Sequence, residues 1–341
     1  MIGRVVGKYR ILDQIGEGGM GVVYRAEHVV LGSPAAVKVL LPRLSLDAVV
    51  VERLFTEAKA TSAIRHVGIV EVFDYGRLDN NQAYIAMELL RGESLAAFLE
   101  RQPGQRVAPA VAAQITLQML AALDAAHVVG VVHRDLKPDN IILVGDPGAP
   151  GGVRVKLLDF GIAKLVGNHR APRPKTKGGA ILGTPAYMAP EQCKGGVEVD
   201  ARADLYAVGC ILFELLTGRP PFVSEGDGAV LAMHIYEPPP RLTALDRALP
   251  VELDALLAKM LTKVPADRTP SAAFALAALE RIQLAPARPI TIRTPDPLYS
   301  VALPGAPEAS RLLPLAVLFV AVVIAAVAVV AIGITGTALP R

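Results

Sequence analysis

From residue 312 to residue 334 the chain carries no charged and no strongly polar side chain, a run that few soluble architectures could absorb. As a helix it would be roughly 35 Å long, against a bilayer hydrocarbon core of roughly 30 Å, so it can span with some tilt. Pro314 falls in the first turn, where its missing N–H costs nothing. A buried core helix is the alternative, but such helices usually keep one polar face, and this segment has none. Residues 312–334 are therefore expected to form one transmembrane helix. Arg311 flanks its N-terminal end and only residues 335–341 follow. The expected topology is a single pass through the cell membrane, the N-terminal domain cytoplasmic and 335–341 a short extracytoplasmic tail. Residues 284–311 contain Pro286, Pro289, Pro295, Pro297, Pro304 and Pro307. Prolines this dense oppose helix and limit sheet pairing, so a semi-extended juxtamembrane tether is expected there.

With that block set aside, 341 residues suffice for two domains or one large two-lobed unit. A net charge of +3 is small for this length and gives no basis for a nucleic-acid partner. Cys193 and Cys210 lack metal-ligand spacing and any disulfide framework, so they read as reduced thiols of a cytosolic domain. The opening Met1-Ile2-Gly3-Arg4 has no apolar core of the secretory kind, and no cleaved signal is expected.

Strand-like alternation covers residues 9–15 and 21–26, followed by an apolar stretch at 35–40 and helical spacing at 51–64. Residues 69–75 and 83–89 return to strand, and from 95 onward the period is mainly helical, as in 110–127 and 203–216. The expected class is α+β: a small sheet-rich lobe over about 9–88, then a larger helical lobe over about 92–283.

Between the first two strands lies Gly16-Glu17-Gly18-Gly19-Met20-Gly21. A G-x-G-x-x-G pattern is weak by itself, because dinucleotide-binding folds share it. There the glycines open a helix, whereas here Val22-Val23-Tyr24 continues as strand. A strand–turn–strand glycine loop can fold over a triphosphate, its backbone approaching closely where no Cβ intervenes. One hairpin later, Lys38 stands in an apolar strand. A lone lysine there is often an edge residue with its amine in water, but its position after the glycine loop makes it a candidate to grip the α- and β-phosphates. Such a lysine needs a carboxylate partner; Glu57 on the following helix is expected to supply it, with Glu52 the alternative.

The most specific signal is His133-Arg134-Asp135-Leu136-Lys137-Pro138-Asp139-Asn140, followed by Leu158-Asp159-Phe160-Gly161. With these motifs in this order, residues 9–282 resemble a protein kinase of the Hanks type, the bacterial serine/threonine branch in particular. The resemblance implies a bilobal protein-kinase fold over 9–283 and an enzyme that moves the γ-phosphate of ATP to protein serine or threonine hydroxyls. Asp135 would accept the proton of the attacking hydroxyl, and Lys137 would stabilise the γ-phosphate. Asn140 and Asp159 would offer hard oxygen ligands to Mg²⁺. His133 would be structural, packing beneath the Asp159 turn with Phe160 and Gly161. Ile15, Val23, Ala36 and Ile142 would line an adenine slot, Met87 would stand at its back, and backbone groups of Glu88 and Leu90 would read the purine edge.

The resemblance also implies an activation segment from Asp159 to Glu191, ending in the substrate-docking run Gly183-Thr184-Pro185-Ala186-Tyr187-Met188-Ala189-Pro190-Glu191. Glu191 would pair with Arg268 in the interior, and Asp204 would anchor the catalytic loop. Lys137, and Thr184 before Pro185, favour serine or threonine as acceptor. Thr176 is the only hydroxyl residue between 165 and 182, in a basic stretch. It is expected to autophosphorylate and to order the segment through Arg134. Three features depart from the family pattern. Residues 65–70 lack a usual proline and asparagine, residues 145–152 lengthen a hairpin turn, and no extracellular sensor follows the anchor.

Two other readings compete. A scaffold that keeps the fold without catalysis would lack one of Lys38, Asp135, Asn140 or Asp159, and all four are present. A small-molecule phosphotransferase of related fold would typically lack the Ala189-Pro190-Glu191 docking run. Protein substrates, ATP, the bilayer and a transient homodimer are the expected partners.

Overall fold

Along the strand Tyr9–Glu17, Tyr9, Ile11 and Ile15 are buried while Arg10, Leu12 and Gln14 face solvent, a two-residue period that covers one side of a sheet. The computed structural model describes residues 1–160, 185–195, 199–285 and 289–293. The chain divides into one unit over Met1–Ala302 and a second over Leu303–Arg341. The second, which includes the expected anchor at 312–334, lies outside the described residues.

The smaller lobe is an antiparallel sheet of β1 (Val5–Val6), β2 (Tyr9–Glu17), β3 (Gly21–His28), β4 (Pro34–Leu40), β5 (Val72–Arg77) and β6 (Ala83–Met87), in the order β1-β2-β3-β4-β6-β5. After β4 come a short α1 (Pro42–Ser45) and α2 (Ala48–Ser62). The Asp47 side chain caps α2 by accepting from the Val49 and Val50 amides, which gives two orphan N–H groups a partner. Val50, Val51, Leu54 and Ala58 then bury one helix face against Leu40, Ala83 and Ile85 of the sheet. Residues 69–71 do not extend β5. Ile69 instead makes an isolated parallel bridge to Leu157, and the Val70 amide donates to the Leu157 carbonyl at 3.1 Å. That stretch ties the two lobes together, which periodicity alone does not reveal.

The larger lobe begins with β7 (Gly92–Ser94), α3 (Leu95–Glu100) and α4 (Pro109–Val128). β7 joins β8 (Ile141–Gly145) and β9 (Val153–Leu157) in a small antiparallel sheet, order β7-β8-β9. The helices α5 (Pro190–Cys193), α6 (Arg202–Thr217), α7 (Asp227–Tyr236), α8 (Leu242–Leu245), α9 (Val251–Met260) and α10 (Ala272–Glu280) complete it. α4 is the one helix among the described residues long and apolar enough to cross a membrane. It is a core element, with Ile115, Met119, Leu120 and Leu123 wholly buried in the cluster that α6 also fills. α6 stops at Gly218, whose φ of 84° is the left-handed conformation that glycine adopts without a Cβ penalty.

Candidate active site

The glycine turn is a strand–turn–strand element, in which the amides of Gly18 and Gly21 each donate to the other's carbonyl, at 2.9 and 3.2 Å. Its outer side is latched to the segment after β4. The Leu41 amide donates to the Met20 carbonyl at 3.0 Å, and Arg43 Nη2 to the Gly19 carbonyl at 3.0 Å. In the sheet register Val23 faces Lys38, Gly16 faces Val23 and Ala36 faces Met87, so Ile15, Val23 and Ala36 belong to three neighbouring strands. Ile142 and Leu90 share a cluster with Val70 and Leu158, against which Met87 packs. The Glu88 amide donates to the Glu71 carbonyl at 2.9 Å and its carboxylate pairs with Lys156 at 2.7 Å. What Glu88 can offer a purine is therefore its carbonyl.

Lys38 Nζ lies 2.8 Å from Asp159 Oδ2, with the lysine side chain only 9% exposed. The pair expected between Lys38 and Glu57 is not formed. Glu57 turns elsewhere, and its Oε2 is buried with no hydrogen-bond partner. Burial pushes its carboxyl up to about 7, against the pull of Arg134 and Arg53 and with the help of Asp159. Lys38 pairs with Asp159, while burial favours the neutral form of Glu57. The folded state thus holds a proton that the unfolded chain releases. The stability this proton confers is present below 4.5 and lost as pH rises through about 7. Glu57→Gln is expected to flatten the fall of the thermal midpoint across that interval; an unchanged slope would show that Glu57 does not titrate there.

The loop between α4 and β8 is held by Asp204, in the first turn of α6 and 1% exposed. Its carboxylate accepts from the His133 amide at 2.8 Å and the Arg134 amide at 2.7 Å, and His127 Nε2 lies 2.8 Å away. Arg134 has a φ of 66°, costly for a residue with a Cβ, and the bond from its amide to Asp204 holds the chain where it would not rest unaided; Asp159, outside this loop, has a φ of 53°. His133 is fully buried, with Nε2 2.8 Å from the Leu158 carbonyl and its ring 4.6 Å from that of Phe160. It faces the interior beneath the Asp159 turn and has no opening toward a substrate hydroxyl.

Asn140 Nδ2 donates to the Asp135 carbonyl at 2.8 Å and to Asp135 Oδ2 at 3.1 Å, and Lys137 Nζ stands 3.6 Å from the same carboxylate. The Leu158 amide donates to the Asn140 carbonyl at 2.9 Å, which sets the start of β8 beside the residue before Asp159. Lys38, Asp159, Asn140, Asp135 and Lys137 therefore form one connected group. Beside them a small cleft is lined by Arg134, Asp135, Lys137, Tyr187, Met188 and Gln192. No cluster of three acidic, histidine or cysteine side chains suited to a metal occurs among the described residues. The oxygens of Asn140 and Asp159 fit Mg²⁺ in the mode where one or two protein ligands are completed by phosphates and water.

Glu191 and Arg268 form a bidentate pair, both contacts 2.7 Å, and the guanidinium also donates to the carbonyls of Thr262, Arg202 and Lys263. Sequence reasoning missed Gln192. Its Nε2 donates to the Arg134 carbonyl at 2.9 Å while its Oε1 accepts from the Ala189 amide at 3.0 Å. It also missed Tyr187, whose hydroxyl donates to Glu214 Oε2 at 2.7 Å. Burial raises that carboxyl to about 7. Neither glutamine nor tyrosine carries a local signature of such a role. Gly161, Thr176 and Thr184 lie outside the described residues.

The sequence matches the model of the protein kinase domain over residues 9–278. It is 43% identical over 310 residues to the serine/threonine-protein kinase Pkn1 of Myxococcus xanthus, covering 91% of this chain and 43% of that protein. It is 38% identical to pkn3 of the same organism, covering 90% of this chain and 57% of that one. The chain thus spans about half the length of these curated relatives. Among solved structures, the PknI kinase domain of M. tuberculosis superposes with a TM-score of 0.62 at 30% identity, over 82% of this chain and 98% of that one. Two lobes around a lysine, an acidic pair and an asparagine define the class, and this chain belongs to the protein kinase family.

Proposed function

We propose that this protein is a serine/threonine protein kinase that transfers the γ-phosphate of ATP to protein hydroxyls. The observation that carries the reading is the connected group from Lys38 through Asp159 and Asn140 to Asp135 and Lys137, assembled from both lobes. Phosphoryl transfer asks mainly for positioning and charge neutralisation. Lys38 grips the α- and β-phosphates, Asp135 orients the incoming hydroxyl and takes its proton, and Lys137 faces the transferred group. Mg²⁺, held through Asn140 and Asp159, would supply the remaining positive charge at the phosphate oxygens. The Glu191–Arg268 pair and Gln192 support the docking run against the catalytic loop.

In the same reading residues 312–334 anchor the protein in the cell membrane with the kinase domain cytoplasmic. Their charge-free composition supports this, and a single anchor would concentrate copies for transient pairing. Thr176 is the proposed site of autophosphorylation, supported by its basic surroundings and by Arg134 before the base.

Incubation of the protein with ATP, Mg²⁺ and a generic basic protein is expected to place phosphate on serine and threonine of the substrate and on Thr176, read by mass spectrometry. Lys38→Met is expected to abolish transfer with the fold retained. Undiminished transfer in that variant would remove Lys38 from the mechanism. No transfer by the unaltered protein would favour a scaffold.

A further inference from the structure

The stretch expected to be a semi-extended tether contains a segment that the domain holds. Residues 289–293, Pro-Ile-Thr-Ile-Arg, show a strand-like period in which Ile290 and Ile292 are partly buried while Pro289, Thr291 and Arg293 are exposed. Both isoleucines pack against the core of the larger lobe. The backbone of the segment is also held at three points. The Ile290 amide donates to the Gly151 carbonyl at 3.1 Å, the Thr291 carbonyl accepts from Arg101 Nη2 at 2.9 Å, and the Arg293 amide donates to Glu93 Oε1 at 2.7 Å.

The receiving groups are built for this. Glu93, on β7 with its side chain 7% exposed, also accepts from Arg101. The ion pair therefore presents one acceptor and one donor to a passing backbone, as extended peptides are commonly recognised. A buried carboxylate with unused capacity would be costly, and the Arg293 amide meets that need. The second support is the turn between β8 and β9. Gly151 has a φ of 68°, and a Cβ there would press on Gln114 Oε1 at 2.6 Å, with Ile290 Cδ1 at 3.5 Å. The lengthened turn at 145–152 is thus a shelf under the linker. The other ends of those strands carry the site: Asn140 immediately precedes β8, and Leu158-Asp159 immediately follows β9.

We propose that residues 290–293 are an intramolecular docking strap that braces the β8–β9 hairpin and thereby positions Asn140 and Asp159. Only the effect on the metal-bound nucleotide rests on the kinase reading above. The strap touches no reacting atom, and its residues are positioning residues. Release of the linker, by tension or by a competing partner, would loosen the hairpin at the end remote from the site.

Two variants of the full-length chain test this. Ile290→Asp/Ile292→Asp puts charge on the packed face, and Arg293→Pro removes the amide hydrogen that Glu93 accepts together with an exposed side chain. Hydrogen exchange of residues 141–145 and 153–157 is expected to speed up in both. The KM for ATP at saturating Mg²⁺ is expected to rise about fivefold, the size of one net hydrogen bond, with kcat little changed. Ile290→Val/Ile292→Val should behave as the unaltered protein. Unchanged exchange in Arg293→Pro, whose side chain is exposed and whose fold is not at risk, would overturn the docking. Faster exchange with an unaltered KM would overturn the positioning role. A chain that transfers no phosphate even without substitution would defeat the kinase reading, and the exchange measurement would still decide the strap.

Discussion

Asp135→Asn is expected to lower turnover by about two to four decades, roughly 3–5.5 kcal/mol of transition-state stabilisation. Asp135 Oδ2 lies 3.1 Å from Asn140 Nδ2 and 3.6 Å from Lys137 Nζ, at the edge of the cleft that Tyr187, Met188 and Gln192 also line. An amide of the same shape retains an oxygen that can accept from Asn140. It cannot take a proton from the attacking hydroxyl, nor balance Lys137. The loss should therefore appear in kcat, with the thermal midpoint and nucleotide affinity close to those of the unaltered protein. Steady-state kinetics decides the matter. Turnover within a factor of about three would mean that another group is the base.

The second large effect concerns stability. Arg268→Met is expected to cost roughly 3–5 kcal/mol, the range for breaking a buried ion pair by removing one partner. The Arg268 side chain is wholly buried and donates to three backbone carbonyls besides Glu191, all of which the substitution leaves short of a partner. Against a total stability of about 5–15 kcal/mol for a typical domain, that is a large fraction. Urea unfolding followed by circular dichroism would read it, and a midpoint within experimental scatter of the unaltered protein would refute it. Glu191→Met/Arg268→Met should be less damaging than Arg268→Met, because no charge is then left unpaired inside. Activity should fall too. α5 carries both Glu191 and Gln192, and Gln192 holds the Arg134 carbonyl.

Much of the small lobe was legible because its signals are local. Glycines between strands, a two-residue apolar period and helical spacing after β4 each act over a few residues, so β2, β3, β4 and the body of α2 follow from the chain itself. The partners of charged side chains were less legible. Glu57 and Asp159 are both reasonable neighbours for Lys38, and a choice between them depends on burial and on which helix face turns inward. Residues 69–71 read as strand, yet the Ile69–Leu157 bridge draws them to the other lobe. The proline-rich tether was read from composition, which describes a chain's stiffness and says nothing of a surface that receives it.

By itself the sequence determined the order of elements, the residue types around the cleft and the chemistry those types permit, since spacing and side-chain identity are one-dimensional quantities. Only the tertiary structure decided that Lys38 pairs with Asp159, that Asp204 holds the loop with the strained Arg134, that Gln192 joins α5 to Arg134, and that residues 290–293 lie on the β8–β9 turn. The reason is physical. The energy of a buried charge or an unpaired amide depends on everything packed around it, and those neighbours come from parts of the chain far apart in sequence.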